Sequence, residues 1–275
     1  MNFFEKIIYG IDRIIMQKPG MYGWFHLLCF SLIILIAAIT SILFHRYPSQ
    51  KRLRLFTFVC WIIILLLEIG KQLVFSFSYD ETTKVVTWDY QWHAFPYQFC
   101  SSPLYLLPLV AFLPDCTVRK GIIAFLATFS MFAGSAVLFY PSTVFVESTL
   151  INIQTMVHHG TQIIIGVLYL SFFKEKLNLK TFALGLAVFA IMATVALILN
   201  VSIHKITDED FNMFFISPYF QSTLPVLSSI WSKIPYPLFL VLYLVGFTAA
   251  ALVIHLAAKG IERTVNWIKG KLYKA

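Results

Sequence analysis

Seven stretches of the chain lack the polar/apolar alternation of a half-buried element and are predominantly apolar. They cover approximately residues 21–44, 55–76, 96–113, 121–139, 150–173, 181–200 and 234–258. An α-helix needs about 20 such residues to cross the hydrocarbon core of a bilayer. Lipid offers no water to the backbone, so runs of this kind close their hydrogen bonds within helices. The pattern predicts an all-α polytopic bundle of about seven transmembrane helices.

Two segments read differently. In residues 1–20, Phe4, Ile7, Ile8, Ile11, Ile14 and Ile15 recur at helical spacing opposite Glu5, Tyr9 and Asp12. That periodicity predicts an amphipathic helix lying in the headgroup plane. A signal peptide needs a longer apolar core and a small-residue cleavage site, and neither is present. Residues 211–232 are too polar and too interrupted by proline to span, and are expected to lie across or dip into the outer face. No internal repeat is visible, which weighs against an inverted-repeat transporter. The expected organisation is an interfacial helix (1–20), one seven-helix membrane domain (21–258) and a basic cytoplasmic tail (259–275).

Composition agrees: 59% of residues are hydrophobic and 12% charged, against roughly 25% charged in soluble domains. The charges are sorted by loop. Arg46, Lys51, Arg52 and Arg54 follow the first run, Arg119 and Lys120 the third, Lys174, Lys176 and Lys180 the fifth, and Lys259, Arg263, Lys269, Lys271 and Lys274 the last. The alternate loops are acidic or bare, with Asp80, Glu81 and Asp89 against Lys84, then Glu147, then Asp208, Glu209 and Asp210 against Lys205 and Lys233. The positive-inside rule places the N-terminus outside and the C-terminus in the cytoplasm. The net charge of +8 arises largely from this asymmetry and implies no nucleic-acid partner.

Polar residues within the spans are costly and mark function. Glu68, Lys71 and Gln72 share one face of the second span. Gln98, Cys100, Ser101 and Ser102 open the third, after Trp92 and His93; Asn152, Gln154, His158, His159 and Gln162 lie in the fifth. All three sets fall in the outer half of the bilayer. A helix starting at Pro96 would put Cys100 one turn inside its positive end, where a thiolate is favoured. Pro103 would then leave the carbonyl of Phe99 without a donor. Cys60 and Cys116 read as inert, whereas Cys29, near His26, is a rival thiol that could even pair with Cys100. A lone intramembrane histidine is more often a packing residue, and Glu68 and Lys71 could simply neutralise each other.

A thiol and an imidazole at one depth point to nucleophilic catalysis, with the thiolate attacking and the histidine taking its proton. The electrophile available there is a lipid acyl ester. No zinc spacing, phosphate loop or nucleotide motif appears, so neither metal nor cofactor is expected. The residues also resemble a known family. FPYQFCSSPLYLLPL (95–109) is similar to the LPLxxC signature of YwaF-type bacterial integral membrane proteins. VHHGTQIIIGVLYL (157–170) is similar to their later histidine-glycine marker, and EIGKQ (68–72) fits their polar second helix. Phe95-Pro96-Tyr97 departs from the signature, and His158 is an extra histidine beside the marker. That family is similar in turn to a eukaryotic multi-pass phospholipid acyltransferase with an essential cysteine. The resemblance implies Cys100 as nucleophile, His159 or His158 as its partner, phospholipid substrates and a bacterial plasma membrane. In an acyltransferase reading Glu68 is an orienting or proton-linked carboxylate, and Lys71, Gln72, Gln98, Ser101, Gln154 and Gln162 line the substrate site. The other reading is a non-catalytic protein that binds or moves a small polar or lipid solute through the same outward cavity.

Overall fold

The computed structural model describes residues 2–141, 144–173, 177–207 and 209–272. Lys174, Lys176, Asp208 and Lys274, used above for orientation, lie outside these residues, as do the side chains of Asp12, Lys269 and Lys271. The chain is an all-α bundle. Its long helices are α2 (Trp24–Arg46), α3 (Gln50–Ser76), α7 (Thr149–Phe172), α8 (Leu179–His204) and α10 (Tyr236–Leu272). A further span, Thr117–Phe139, joins α5 (Thr117–Phe125) to α6 (Met131–Phe139) through a π-helical turn at Leu126–Ser130. Five of these helices are long and apolar enough to cross a membrane: α2, α3, the α5–α6 span, α8 and α10. α7 has the length, but its polar residues dilute its apolarity; it is the most buried of the long helices, packed by α2, α3 and α6.

The third expected span departs most from expectation. Its helix, α4, runs only over Ser102–Phe112, and 11 residues reach about 16 Å, too little to cross alone. Residues 92–101 descend instead as irregular chain with two 3-10 turns, Trp92–Ala94 and Phe99–Ser101. Ala94, Tyr97 and Phe99 are buried, so this non-helical backbone is enclosed by protein, the setting in which membranes tolerate it. Pro96 therefore does not start the helix; Pro103 does, in the first turn, where a missing N–H costs nothing. At the other end Arg119 Nε donates to the Val110 carbonyl (2.9 Å) and Arg54 Nη1 to that of Ala111 (3.0 Å). Two cations thus satisfy the last carbonyls of α4 at the negative end of its dipole.

The loop between the second and third expected spans holds a β-hairpin, β1 (Phe77–Asp80) with β2 (Val85–Trp88). α1 (Phe3–Asp12) starts in a capping box of Asn2 and Glu5 and packs on β1 through Phe4–Phe77 and Tyr9–Tyr79 ring contacts. The helix ends at Asp12, and Ile14 and Ile15 leave its face. Ile15 pairs with Ser148 in an isolated bridge, and Met16 N donates to the Glu147 carbonyl at 2.8 Å. The 211–232 segment also differs from a surface layer. Phe211, Met213 and Phe214 are fully buried, and Phe214 stacks on Tyr97 with ring centroids 5.8 Å apart. Phe214 and Phe215 hold φ of 58° and 57°, a conformation costly for a bulky side chain and retained where the surroundings dictate it. The last helix continues past the expected end of the seventh span to Leu272.

Candidate functional site

The local fold around Cys100 follows from the proline three residues on. In a 3-10 turn the carbonyl of residue i accepts from the N–H of i+3. Ser101 N bonds Gln98 O at 2.8 Å and Ser102 N bonds Phe99 O, but residue 103 is proline and has no N–H to offer Cys100. The orphaned acceptor is thus the Cys100 carbonyl, one residue after the carbonyl expected from a helix beginning at Pro96. A buried carbonyl needs a partner. Two side chains of α7 supply it: His158 Nε2 at 2.9 Å, and Gln162 Nε2.

These contacts fix proton positions, because a carbonyl can only accept. His158 carries its hydrogen on Nε2, and Nδ1 is a bare acceptor, buried without a partner. His159 donates Nδ1–H to the Thr155 carbonyl at 2.7 Å, so Nε2 is bare, buried and unpartnered. The two rings stand 5.9 Å apart, edge to face. Both hydrogen-bonded imidazole nitrogens reach backbone oxygens; neither imidazole is hydrogen-bonded to the Cys100 thiol among the described residues. The thiol lies close enough to Lys71 and Glu68 to feel their charges.

A second cluster adjoins the first on α7. Glu68 Oε1 accepts from Lys71 Nζ at 3.1 Å and Gln72 Nε2 at 2.7 Å, and Oε2 accepts from Gln154 Nε2 at 3.0 Å. Gln154 is one turn before His158, so the carboxylate is tied to the histidine helix without touching either imidazole. Among the described residues no hydrogen bond joins Glu68 to either imidazole; His159 donates to the Thr155 carbonyl. Gln72 also bonds the Ala94 carbonyl at 2.9 Å and accepts from the Tyr90 hydroxyl at 3.2 Å. Burial, and after it the Glu68 charge, push the Tyr90 phenol up. Gln98 is drawn away from both clusters: Nε2 donates to Asn212 O at 3.1 Å and Oε1 accepts from Phe214 N at 2.9 Å. It pins the 211–217 segment against the cysteine loop.

Close helix packing sets the second α7 contact. A Cβ at Gly134 would lie 2.6 Å from the His159 carbonyl and 2.8 Å from Gln162 Cβ, so only glycine lets α6 approach α7 beside Gln162. Asn152 serves the 146 backbone, bonding Val146 N and O. All four cysteines are free, and the Cys29–Cys100 pair is not formed. Among the described residues no group of three or more metal-ligating side chains could hold a metal ion. The sequence reading missed Gly134, Thr155 and Tyr243. Thr155 acts through its carbonyl, which no side-chain pattern records. Tyr243, on α10, is fully buried with its hydroxyl unpartnered and close enough to Cys100 for their charges to interact; in the sequence it is one tyrosine in an apolar run.

The architecture is that of a multi-pass membrane protein. Comparison with curated proteins and with solved structures found no match. A family model, described as the TMEM164 family, matches residues 21–258 and so takes in α2 to α8, most of α10 and both polar clusters. The chain belongs to the TMEM164 family.

Proposed function

We propose that this protein is a thiol-dependent acyltransferase acting on phospholipid acyl chains. The reading is carried by the pairing of imidazoles around Cys100. One histidine holds the cysteine backbone, the second ring stands 5.9 Å from the first, and both keep a bare, buried nitrogen; the Cys100 thiol is free. A base oriented by a third group next to a nucleophile is the general arrangement for covalent catalysis.

In the reaction, the Cys100 thiol gives its proton to His159 Nε2 and the thiolate attacks the ester carbonyl carbon. The carbonyl π pair moves to oxygen; on collapse the bond to the glycerol oxygen breaks, and that oxygen takes the proton from the imidazolium. A lysolipid leaves and Cys100 holds the acyl group as a thioester. A second alcohol, or water, then attacks the thioester and restores the thiol. His158 and Gln162 position the nucleophile through its carbonyl. The Glu68–Lys71–Gln72–Gln154 cluster fixes α3 to α7 and offers a charged group to the lipid head. The likeness of 95–109 and 157–170 to YwaF-type proteins, and through them to a cysteine-dependent acyltransferase, supports the same assignment. It also suggests a bacterial plasma membrane as the location.

The second reading, a non-catalytic protein binding a polar or lipid solute, is favoured by one observation: the described hydrogen bonds tie the imidazoles to backbone oxygens and not to the thiol. Lysophospholipid release separates the two. Purified protein in phospholipid vesicles is expected to release lysophospholipid, and Cys100→Ser and His159→Gln each to abolish it. Release unchanged in Cys100→Ser would end the enzyme reading.

A further inference from the structure

Among the described residues, eleven buried side-chain nitrogen or oxygen atoms have no hydrogen-bond partner. Six belong to residues next to Cys100 or on elements packed around it: Ser102 Oγ, Ser130 Oγ, His158 Nδ1, His159 Nε2, Gln162 Oε1 and the Tyr243 hydroxyl. An unpaired polar atom in a dry interior costs about 1–3 kcal/mol, so a concentration of them marks a place built for something polar. Three of the six can only accept: the two imidazole nitrogens and the Gln162 oxygen. The backbone N–H groups of Ser101 and Ser102 are already spent on Gln98 O and Phe99 O. Among the buried side-chain atoms without a partner, the hydrogen-bond donors at the site are therefore three hydroxyls.

The three are not equivalent. Ser102 and Ser130 lie on helical backbone and can turn their hydroxyls to a carbonyl of the preceding turn. The Tyr243 hydroxyl, at the end of a rigid ring, cannot reach its own helix. That ring is wedged against Phe247 (centroids 4.5 Å apart) and Phe189 (6.1 Å), and Phe247 in turn meets Phe99, the residue before Cys100, at 5.0 Å. The phenol is 1% exposed and is also the most acidic of the three hydroxyls, hence the strongest donor.

We propose that Tyr243 is a catalytic residue of this site, its phenolic O–H donating a hydrogen bond to the acyl oxygen as Cys100 attacks. The inference rests on the acyl-transfer reading above. As the sulfur–carbon bond forms, the carbonyl π pair moves onto that oxygen, and the phenol stabilises the charge while keeping its proton. On collapse the pair returns, the thioester carbonyl forms, and the leaving alkoxide takes its proton from the imidazolium. Hydrogen-bond donors aimed at such an oxyanion are commonly worth about 10²- to 10³-fold in rate.

Tyr243→Phe keeps the ring packing and removes only the donor. The test uses the full-length protein in detergent with two probes of Cys100, each followed by intact mass. A p-nitrophenyl acyl ester builds an oxyanion when the thiol attacks; a lipophilic chloroacetamide alkylates the same thiol without one. Tyr243→Phe is expected to slow acylation by about 10²-fold or more and to leave alkylation within about twofold, which also shows that the fold is intact. Should the phenylalanine variant not fold, 3-fluorotyrosine at 243, a more acidic phenol, is expected to raise the acylation rate. Acylation unchanged in these variants, or both reactions slowed equally, overturns the proposal, and so does a wild-type thiol that the ester never acylates. Acylation by the ester but not by phospholipid leaves Tyr243 as the donor and refutes only the phospholipid reading.

Discussion

His158 grips Cys100 by its backbone: Nε2 lies 2.9 Å from the Cys100 carbonyl oxygen. That carbonyl is free only because Pro103 has no N–H. Pro103→Ala supplies a donor at the i+3 position, which competes with His158 and Gln162 for the same oxygen. The variant is expected to keep or slightly raise its thermal stability while losing most acyl transfer. Equal activity in Pro103→Ala would show that the histidine contact serves the fold alone.

Gly134 makes the second test of the same grip. A methyl group there would meet the His159 carbonyl at 2.6 Å and Gln162 Oε1 at 2.9 Å. Backbone and a positioned amide must then move, at a cost of about 1–3 kcal/mol. Gly134→Ala is expected to lower both melting temperature and turnover. Gly246→Ala, whose Cβ would meet nothing within 4 Å, is the control. It is expected to be neutral or more stable by up to about 1 kcal/mol, with turnover intact.

The Glu68–Lys71 pair separates charge from chemistry. Its side chains are 6% and 17% exposed, and removing one partner of a buried pair costs about 3 kcal/mol or more. Glu68→Gln is expected to destabilise the protein, while Cys100→Ser leaves the melting temperature nearly unchanged. Adding Lys71→Met to Glu68→Gln is expected to recover the stability without the turnover. A stable double variant with full activity would confine the pair to a structural role.

Outside the spans, Asp80 caps the hairpin turn: its Oδ1 accepts from Thr82 N at 2.7 Å and Thr83 N at 3.2 Å. These bonds hold its carboxyl below the usual range. A depressed carboxyl contributes stability above its unfolded value and loses it as pH falls through the folded one. Acidification in that window is expected to loosen the hairpin, seen as a change in the fluorescence of Trp88 in an otherwise tryptophan-substituted chain. Asp80→Asn, which still accepts but does not titrate, is expected to flatten that response.

The membrane helices were legible because lipid leaves the backbone one solution, and apolar runs such as 24–46 and 179–204 record it directly. Glu68 with Lys71 and Gln72, and Cys100 with His158 and Gln162, were legible as polar atoms at matching depth, since helical rise converts position into height. The third span misled because Pro96 and Pro103 both suit a helix start; in the structure the chain turns tightly at Pro96, where Tyr97 N donates to the Phe95 carbonyl at 2.8 Å, and Tyr97 stacks on Phe214. The hairpin hid in an aromatic, acidic stretch too short to show alternation. Tyr243 was invisible for a different reason: its burial near the cysteine loop depends on which elements α10 faces, and that is tertiary.

The most direct test of the central claim is the intact mass of the protein after incubation with phospholipid vesicles. Wild type is expected to gain the mass of one acyl chain, released by hydroxylamine and mapped to the peptide containing Cys100, and Cys100→Ala to gain none. No adduct on wild type under conditions where lysophospholipid is released, or an equal adduct on Cys100→Ala, would contradict the thioester mechanism.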